Sequence, residues 1–308
     1  MTKPIEDKLA KIPIINILVA YGKKAVLPGL EGLSLYDLIE IYVIGIIRGT
    51  FSARASAIAW SFFLSIFPFL LFLLNLIPYV PIENFESNFF EFINELLPKQ
   101  TSNFFSAIFE DIASNPRAGL LSTVFLLSIF FMTNGINAVF SGFGYSYHVS
   151  LNRTFVRQYL IALGVSIIVA SLLLITVIGT LYFTYLVNDL NEIGVVNDTV
   201  FWLTFGRYLL FVLMIFGIIA TLFYFGTSEG KLNKFFSPGA LMTTMLIIIT
   251  TYLFGIYIDN FSTYNKLYGS IGAVLILMIY IWLNANLLLL GFELNASLNQ
   301  LKKNFETF

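Results

Sequence analysis

The sequence predicts an all-α integral membrane protein: a bundle of six transmembrane helices with amphipathic helices in its N-terminal segment and its long outer loop. Three observations predict it. The 308 residues are 58% hydrophobic and 11% charged, against roughly 25% charged in a soluble domain, and the mean hydropathy is +0.84. Six apolar stretches are long enough to cross a hydrocarbon core of ~30 Å at ~1.5 Å per residue. Lys and Arg crowd the segments on one side of those stretches.

The stretches run over about residues 55–77, 119–143, 159–187, 200–226, 238–258 and 269–292, and only the fourth holds a charge, Arg207. They define a membrane domain over 55–295, preceded by a cytoplasmic segment, 1–54, and followed by a cytoplasmic tail, 296–308. On the side of both termini lie Lys3, Lys8, Lys11, Lys23, Lys24, Arg48, Arg54, Arg153, Arg157, Lys231, Lys234, Lys302 and Lys303; the other side has Lys99, Arg117 and Lys266. That bias puts both termini in the cytoplasm.

The flanking elements read as interfacial. Over residues 34–50, Ser34 and Asp37 form a capping-box pattern, and Leu35, Leu38, Ile39, Tyr42, Val43 and Ile46 share one side at helical spacing. In the outer loop, 78–118, Phe85, Phe89, Phe92, Ile93 and Leu96 repeat the pattern, so that loop caps the outer face or dips into the outer leaflet. At the amino terminus, acids precede the apolar run 12–21 and Gly22-Lys23-Lys24 follow it in place of a cleavage site, which argues against a signal peptide.

Polar residues inside the spans are the candidate site. In span one, Ala53, Ala57, Ser61 and Ser65 make a small-residue stripe for close helix approach, and Pro68 removes a backbone hydrogen bond, a candidate hinge. In span two, Asn134, Asn137 and Ser141 share a face. Arg207 in span four has Asp259, Asp189 and Asp198 as ion-pair candidates on its own side. Span five opens with Ser237 as cap and Pro238 at the first helical position. In span six, Trp282, Asn286, Glu293 and Ser297 fall within about 60° of one another, with Asn284 and Asn295 nearly opposite. Arg54 matches Glu293 in depth. The two read either as a structural ion pair or as a carboxylate exposed to a transport path, with Asn134, Asn137, Ser141, Trp282, Asn286 and Glu293 lining the path.

Several chemistries find no support. There is no cysteine and a single histidine, His148, so no thiolate or poly-His metal site can be built. No nucleophile with its base, no other catalytic residue and no Walker-type loop can be assembled, so neither an enzyme nor any cofactor is implied. A net charge of −1 with no basic patch gives nucleic acid nothing to bind.

The order "SARASAIAWSFFLSIFPFLLFLL", then "SPGAL", then "YNKLYGSIGAVLILMIYIWLNANLLLLGFELNASL" resembles the YihY/BrkB family of bacterial inner-membrane proteins over about residues 40–300. Its motif positions here are Pro238, Gly239, Tyr264, Tyr268, Gly269, Gly272 and Gly291. The chain departs from the family at Phe292, where Ala is usual between Gly and Glu, and at Tyr280, often Trp. The resemblance implies a six-span bundle with both termini inside. Members have been labelled ribonucleases, serum-resistance factors and exporters. The expectation is a transporter of an envelope lipid or small solute, with membrane lipids as partners; the alternative is a non-transporting envelope-integrity scaffold. Ribonuclease chemistry fits poorly, because the acids cluster on the outer loop and one histidine is present.

Overall fold

The computed structural model describes Ser34, Tyr36 and residues 50–76, 121–146, 153–226, 235–260 and 270–306. The interfacial helix read over 34–50 lies outside these residues apart from Ser34, Tyr36 and Thr50. So do the outer loop over 78–118, His148, Tyr264, Tyr268 and Gly269. The described residues form six helices: α1 (Phe51–Leu76), α2 (Leu121–Gly144), α3 (Phe155–Glu192), α4 (Thr199–Phe225), α5 (Pro238–Asn260) and α6 (Ser270–Glu306). Helices α2 to α6 are each long and apolar enough to cross a membrane. The 26 residues of α1, whose one charge is Arg54, reach about 39 Å at ~1.5 Å per residue.

Boundaries follow local chemistry. Thr50 adopts a positive φ of 48°, and the Arg54 N–H bonds the Thr50 carbonyl at 3.2 Å. This starts α1 at Phe51 and places Arg54 in the first turn. Helix α3, at 38 residues, is about 57 Å long, more than the ~40–45 Å of a bilayer with its headgroups. Thr176, Thr180 and Thr184 spend their hydroxyls on carbonyls one turn back, so a hydroxylated stretch stays satisfied in an apolar setting. The helix stops at Gly194, whose φ of +75° suits glycine. Four residues on, the Asp198 carboxylate accepts from the Phe201 N–H at 2.9 Å and starts α4. Helix α6 continues unbroken past residue 296 to Glu306.

Each helix packs against its sequence neighbours, and α6 returns to α1, so the six close into a ring. A single cluster of buried side chains draws on all six helices, with Phe140, Phe143, Phe223 and Phe292 among its largest members. The outer surface is apolar instead of charged, with Leu126, Ile175, Leu213 and Leu253 exposed, as lipid contact requires. Tyr182, Tyr185, Trp202 and Tyr208 are exposed around the α3–α4 turn, and Tyr145, Phe155 and Phe236 at the opposite end. Amphipathic aromatics of this kind suit the two membrane interfaces.

Candidate functional site

The end of the bundle where α1 begins and α6 descends is locked by buried polar groups. Arg54 and Glu293 are both buried, with Arg54 NH2 3.8 Å from Glu293 Oε2. Arg54 NH1 donates to the Gly142 carbonyl at 2.9 Å, and the Ser146 hydroxyl donates to Glu293 Oε2 at 2.8 Å. The guanidinium also sits 5.7 Å from the Phe51 ring centroid. The pair therefore ties together the start of α1, the end of α2 and the lower part of α6. Beside it Phe143 and Phe292 stack with centroids 4.0 Å apart and planes within 6°, and Phe223 meets both edge-on. Phe292 is thus one plate of an aromatic layer.

The α5–α6 crossing accounts for the motif residues that are described. Ser237 caps α5 through its hydroxyl, which accepts from the Ala240 N–H at 3.3 Å. Asn295 of α6 completes the cap. Its Oδ1 accepts from the Gly239 N–H at 2.8 Å, and its Nδ2 donates to the Ser237 hydroxyl at 2.9 Å. The helices approach so closely here that a Cβ on Gly239 would overlap the Gly291 carbonyl, and one on Gly291 would overlap Thr243 Oγ1. Pro238, Gly239 and Gly291 thus act together at one helix crossing, while Gly272 is buried higher on α6.

Among the described residues, Asn137 and Ser141 of span two and Asn286 of span six have different partners. Asn137 Oδ1 and Ser141 Oγ both accept from Gln158 Nε2 of α3, at 2.8 and 3.1 Å, and Asn134 is half-buried on α2. Asn286 Nδ2 turns back to the Trp282 carbonyl at 2.7 Å, and Trp282 itself is 37% exposed. The face shared by Trp282, Asn286, Glu293 and Ser297 therefore passes from the bundle surface to its interior along α6. Helix α1 is continuous through Pro68, whose carbonyl accepts from the Ser128 hydroxyl of α2. Of the small-residue stripe, Ser65 meets α2 at Gly135, where an added Cβ would stand 3.2 Å from the Ser65 hydroxyl, whereas Ala53 and Ala57 are exposed. Arg207 is half-buried, Asp198 is engaged as the α4 cap, and the Asp259 side chain lies outside the described residues.

Between α1, α4 and α6 lies a partly open cavity of about 380 Å³. Ile58, Phe62 and Ile66 of α1, Phe211, Met214 and Ile218 of α4, and Ile281, Ala285 and Leu288 of α6 supply most of its wall, and Tyr280 and Asn284 are its polar side chains. The Tyr280 hydroxyl is held 2.8 Å from Thr251 Oγ1, and Asn284 Nδ2 donates to the Tyr280 carbonyl at 2.8 Å. None of the six residues read as a polar path lines this chamber. Sequence reasoning missed the chamber, Gln158, Ser146 and the cap made by Asn295. Gln158 alone carried a signal, as an uncharged amide next to Arg157 at the head of a span.

Fold and site together define a multi-pass, all-helical membrane protein, and among the described residues no three His, Cys, Asp or Glu are grouped to hold a metal ion. Residues 46–307 match the family model for virulence factor BrkB, and the chain belongs to that family. A Bacillus subtilis protein named ribonuclease-like protein YfkH is 27% identical over 253 residues, 82% of this chain and 91% of that protein. A UPF0761 membrane protein of Coxiella burnetii is 23% identical over 245 residues, 77% of this chain and 84% of its own. A UPF0761 membrane protein of Xanthomonas oryzae is 41% identical over 61 residues, 20% of this chain and 14% of its own. No solved structure matches.

Proposed function

We propose that this protein moves an envelope lipid across the bacterial cytoplasmic membrane, with both termini cytoplasmic and membrane lipids as its partners. The observation that carries the reading is the chamber: a partly open apolar space of about 380 Å³ walled mainly by α1, α4 and α6. A small polar solute would surrender its hydration there for two polar side chains. A hydrocarbon chain loses nothing on leaving lipid for such walls. In this reading the Arg54–Glu293 pair and the Phe143–Phe292 layer close the cytoplasmic end of the chamber.

A second reading, an envelope scaffold that transports nothing, is favoured by the protein partners of Asn137, Ser141 and Glu293. A lipid and solute profile of a deletion strain against its parent tests the first reading. Accumulation of one lipid class is expected; an unchanged lipid profile beside a changed soluble solute would overturn it. The double variant Glu293→Gln, Asn286→Leu separates the two readings in reconstituted vesicles. Loss of lipid movement in a folded variant assigns the polar face to the path, whereas a lowered melting temperature in vesicles that move no lipid, with parent protein or variant, favours the scaffold.

A further inference from the structure

We infer that the chamber takes an acyl chain carrying a hydroxyl group part-way along its length, and that this hydroxyl donates to Asn284 Oδ1. The inference rests on the lipid reading above and names the kind of chain. Neither the Arg54–Glu293 pair nor the α5 cap uses Asn284. Along α6 the chamber is lined by Tyr280, Ile281, Asn284, Ala285 and Leu288, the spacing of one helical face. Asn284 Nδ2 is committed, donating to the Tyr280 carbonyl at 2.8 Å. Turning the amide over would set Oδ1 against that carbonyl, two acceptors together, so the orientation is fixed. The amide also interacts with the Tyr280 hydroxyl, which is held 2.8 Å from Thr251 Oγ1. Oδ1 itself is buried and has no hydrogen-bond partner among the described residues.

Depth and surroundings define the donor that fits Oδ1. Counting back along α6 from Glu293 to Asn284 climbs about 14 Å from the ion pair. The same count forward from Arg54 reaches Phe63 on the antiparallel α1, midway along the chamber wall from Ile58 to Phe69. That wall is about 16 Å long at ~1.5 Å per residue, and the polar side chains on the chamber are Asn284 and, one turn away, Tyr280. A charged headgroup does not belong at this level, since none of the described residues lining the chamber is charged. Water fits poorly, because it needs about two to four polar partners and one of the two side chains offered is already engaged by Thr251. An uncharged donor with hydrocarbon on either side meets the requirement. Among lipid groups, a hydroxyl on the chain itself is that donor. Seating it satisfies a buried acceptor that a plain chain leaves orphaned, and an orphaned polar group is the stronger basis for discrimination. The chamber is partly open, so the second chain and the headgroup can stay in the bilayer.

The test is competition photolabelling of the purified full chain in lipid nanodiscs. The probe is phosphatidylcholine with a diazirine in one acyl chain. The competitors are phosphatidylcholines whose corresponding saturated chain has, or lacks, a hydroxyl near its midpoint. Peptide mass spectrometry reads the label on Met214, Ile218 and Ile281, all chamber residues. The hydroxylated competitor is expected to halve chamber label at about one-tenth the mole fraction that the plain one needs, the fold-change of a single hydrogen bond to a buried acceptor. Asn284→Leu should abolish that difference, Asn284→Gln should keep part of it, and Tyr280→Phe should leave it intact. Asn284→Ser, whose hydroxyl turns back to its own helix, repeats the test should Asn284→Leu fail to fold. Equal competition by the two lipids in the parent overturns the inference. So does a preference that survives loss of the Asn284 amide, or one that Tyr280→Phe alone removes. Absence of chamber label from the probe counts against the lipid reading itself. Chamber label with equal competition leaves that reading standing and removes the hydroxyl alone.

Discussion

Replacing Gly239 by alanine should loosen the α5–α6 crossing. The added Cβ overlaps the Gly291 carbonyl, a backbone atom that cannot rotate aside, and stands 2.6 Å from Asn295 Oδ1. An ordinary contact is ~3.5 Å or more, so the helices must part by about 1 Å. Overpacking of this kind costs roughly 1–3 kcal/mol, and parting also strains the Gly239 N–H to Asn295 bond, a further ~1 kcal/mol. A loss of about 3 kcal/mol corresponds to roughly 10 °C in melting temperature for a chain of this size. Thermal unfolding in detergent, followed by tryptophan fluorescence, measures it. Gly164→Ala is the control: nothing lies within 4 Å of a Cβ there, and the better helix propensity of alanine should leave the melting temperature unchanged or slightly raised. If Gly239→Ala melts within 2 °C of the parent, the close-crossing account of the motif is wrong.

The ion pair gives a second expectation. Glu293→Leu strands the buried Arg54 charge and should cost about 3–5 kcal/mol, whereas adding Arg54→Met should recover most of the loss; thermal melts of both variants decide it, and a double variant as unstable as the single one would refute the pairing. Gln158→Leu leaves Asn137 and Ser141 without their shared donor and should lower stability by about 1 kcal/mol, the scale of interhelical hydrogen bonds in membranes. The same substitution in an Asn137→Leu, Ser141→Ala background should cost little, which a double-mutant cycle on melting temperature checks.

How much of this was legible depended on whether a property belongs to one helix or to a pair. Hydropathy places α2 to α5 within a few residues, because the bilayer sets their length. Depth matching places Arg54 and Glu293 at one level, and the structure has them 3.8 Å apart. The start of α1 at Phe51 depends on the backbone turn at Thr50, and the run of α6 to Glu306 on helix propensity outlasting hydropathy; neither is a hydropathy signal. The role of Asn295 was out of reach because it needs α5 to begin beside α6. Trp282 and Glu293 share a helical face yet differ in burial, since α6 changes neighbours along its length. The chamber is the hardest feature to read from sequence. Ile58, Met214 and Ile281 are ordinary span residues, and only the closing of α6 onto α1 leaves space between them.

The central claim is that the chamber carries lipid. Transbilayer movement of a fluorescent phospholipid, followed by external quenching in vesicles, should be faster with the protein than without it and fall at least tenfold in Ala285→Trp, whose indole occupies the chamber wall. Equal movement by the folded variant and its parent would contradict the claim.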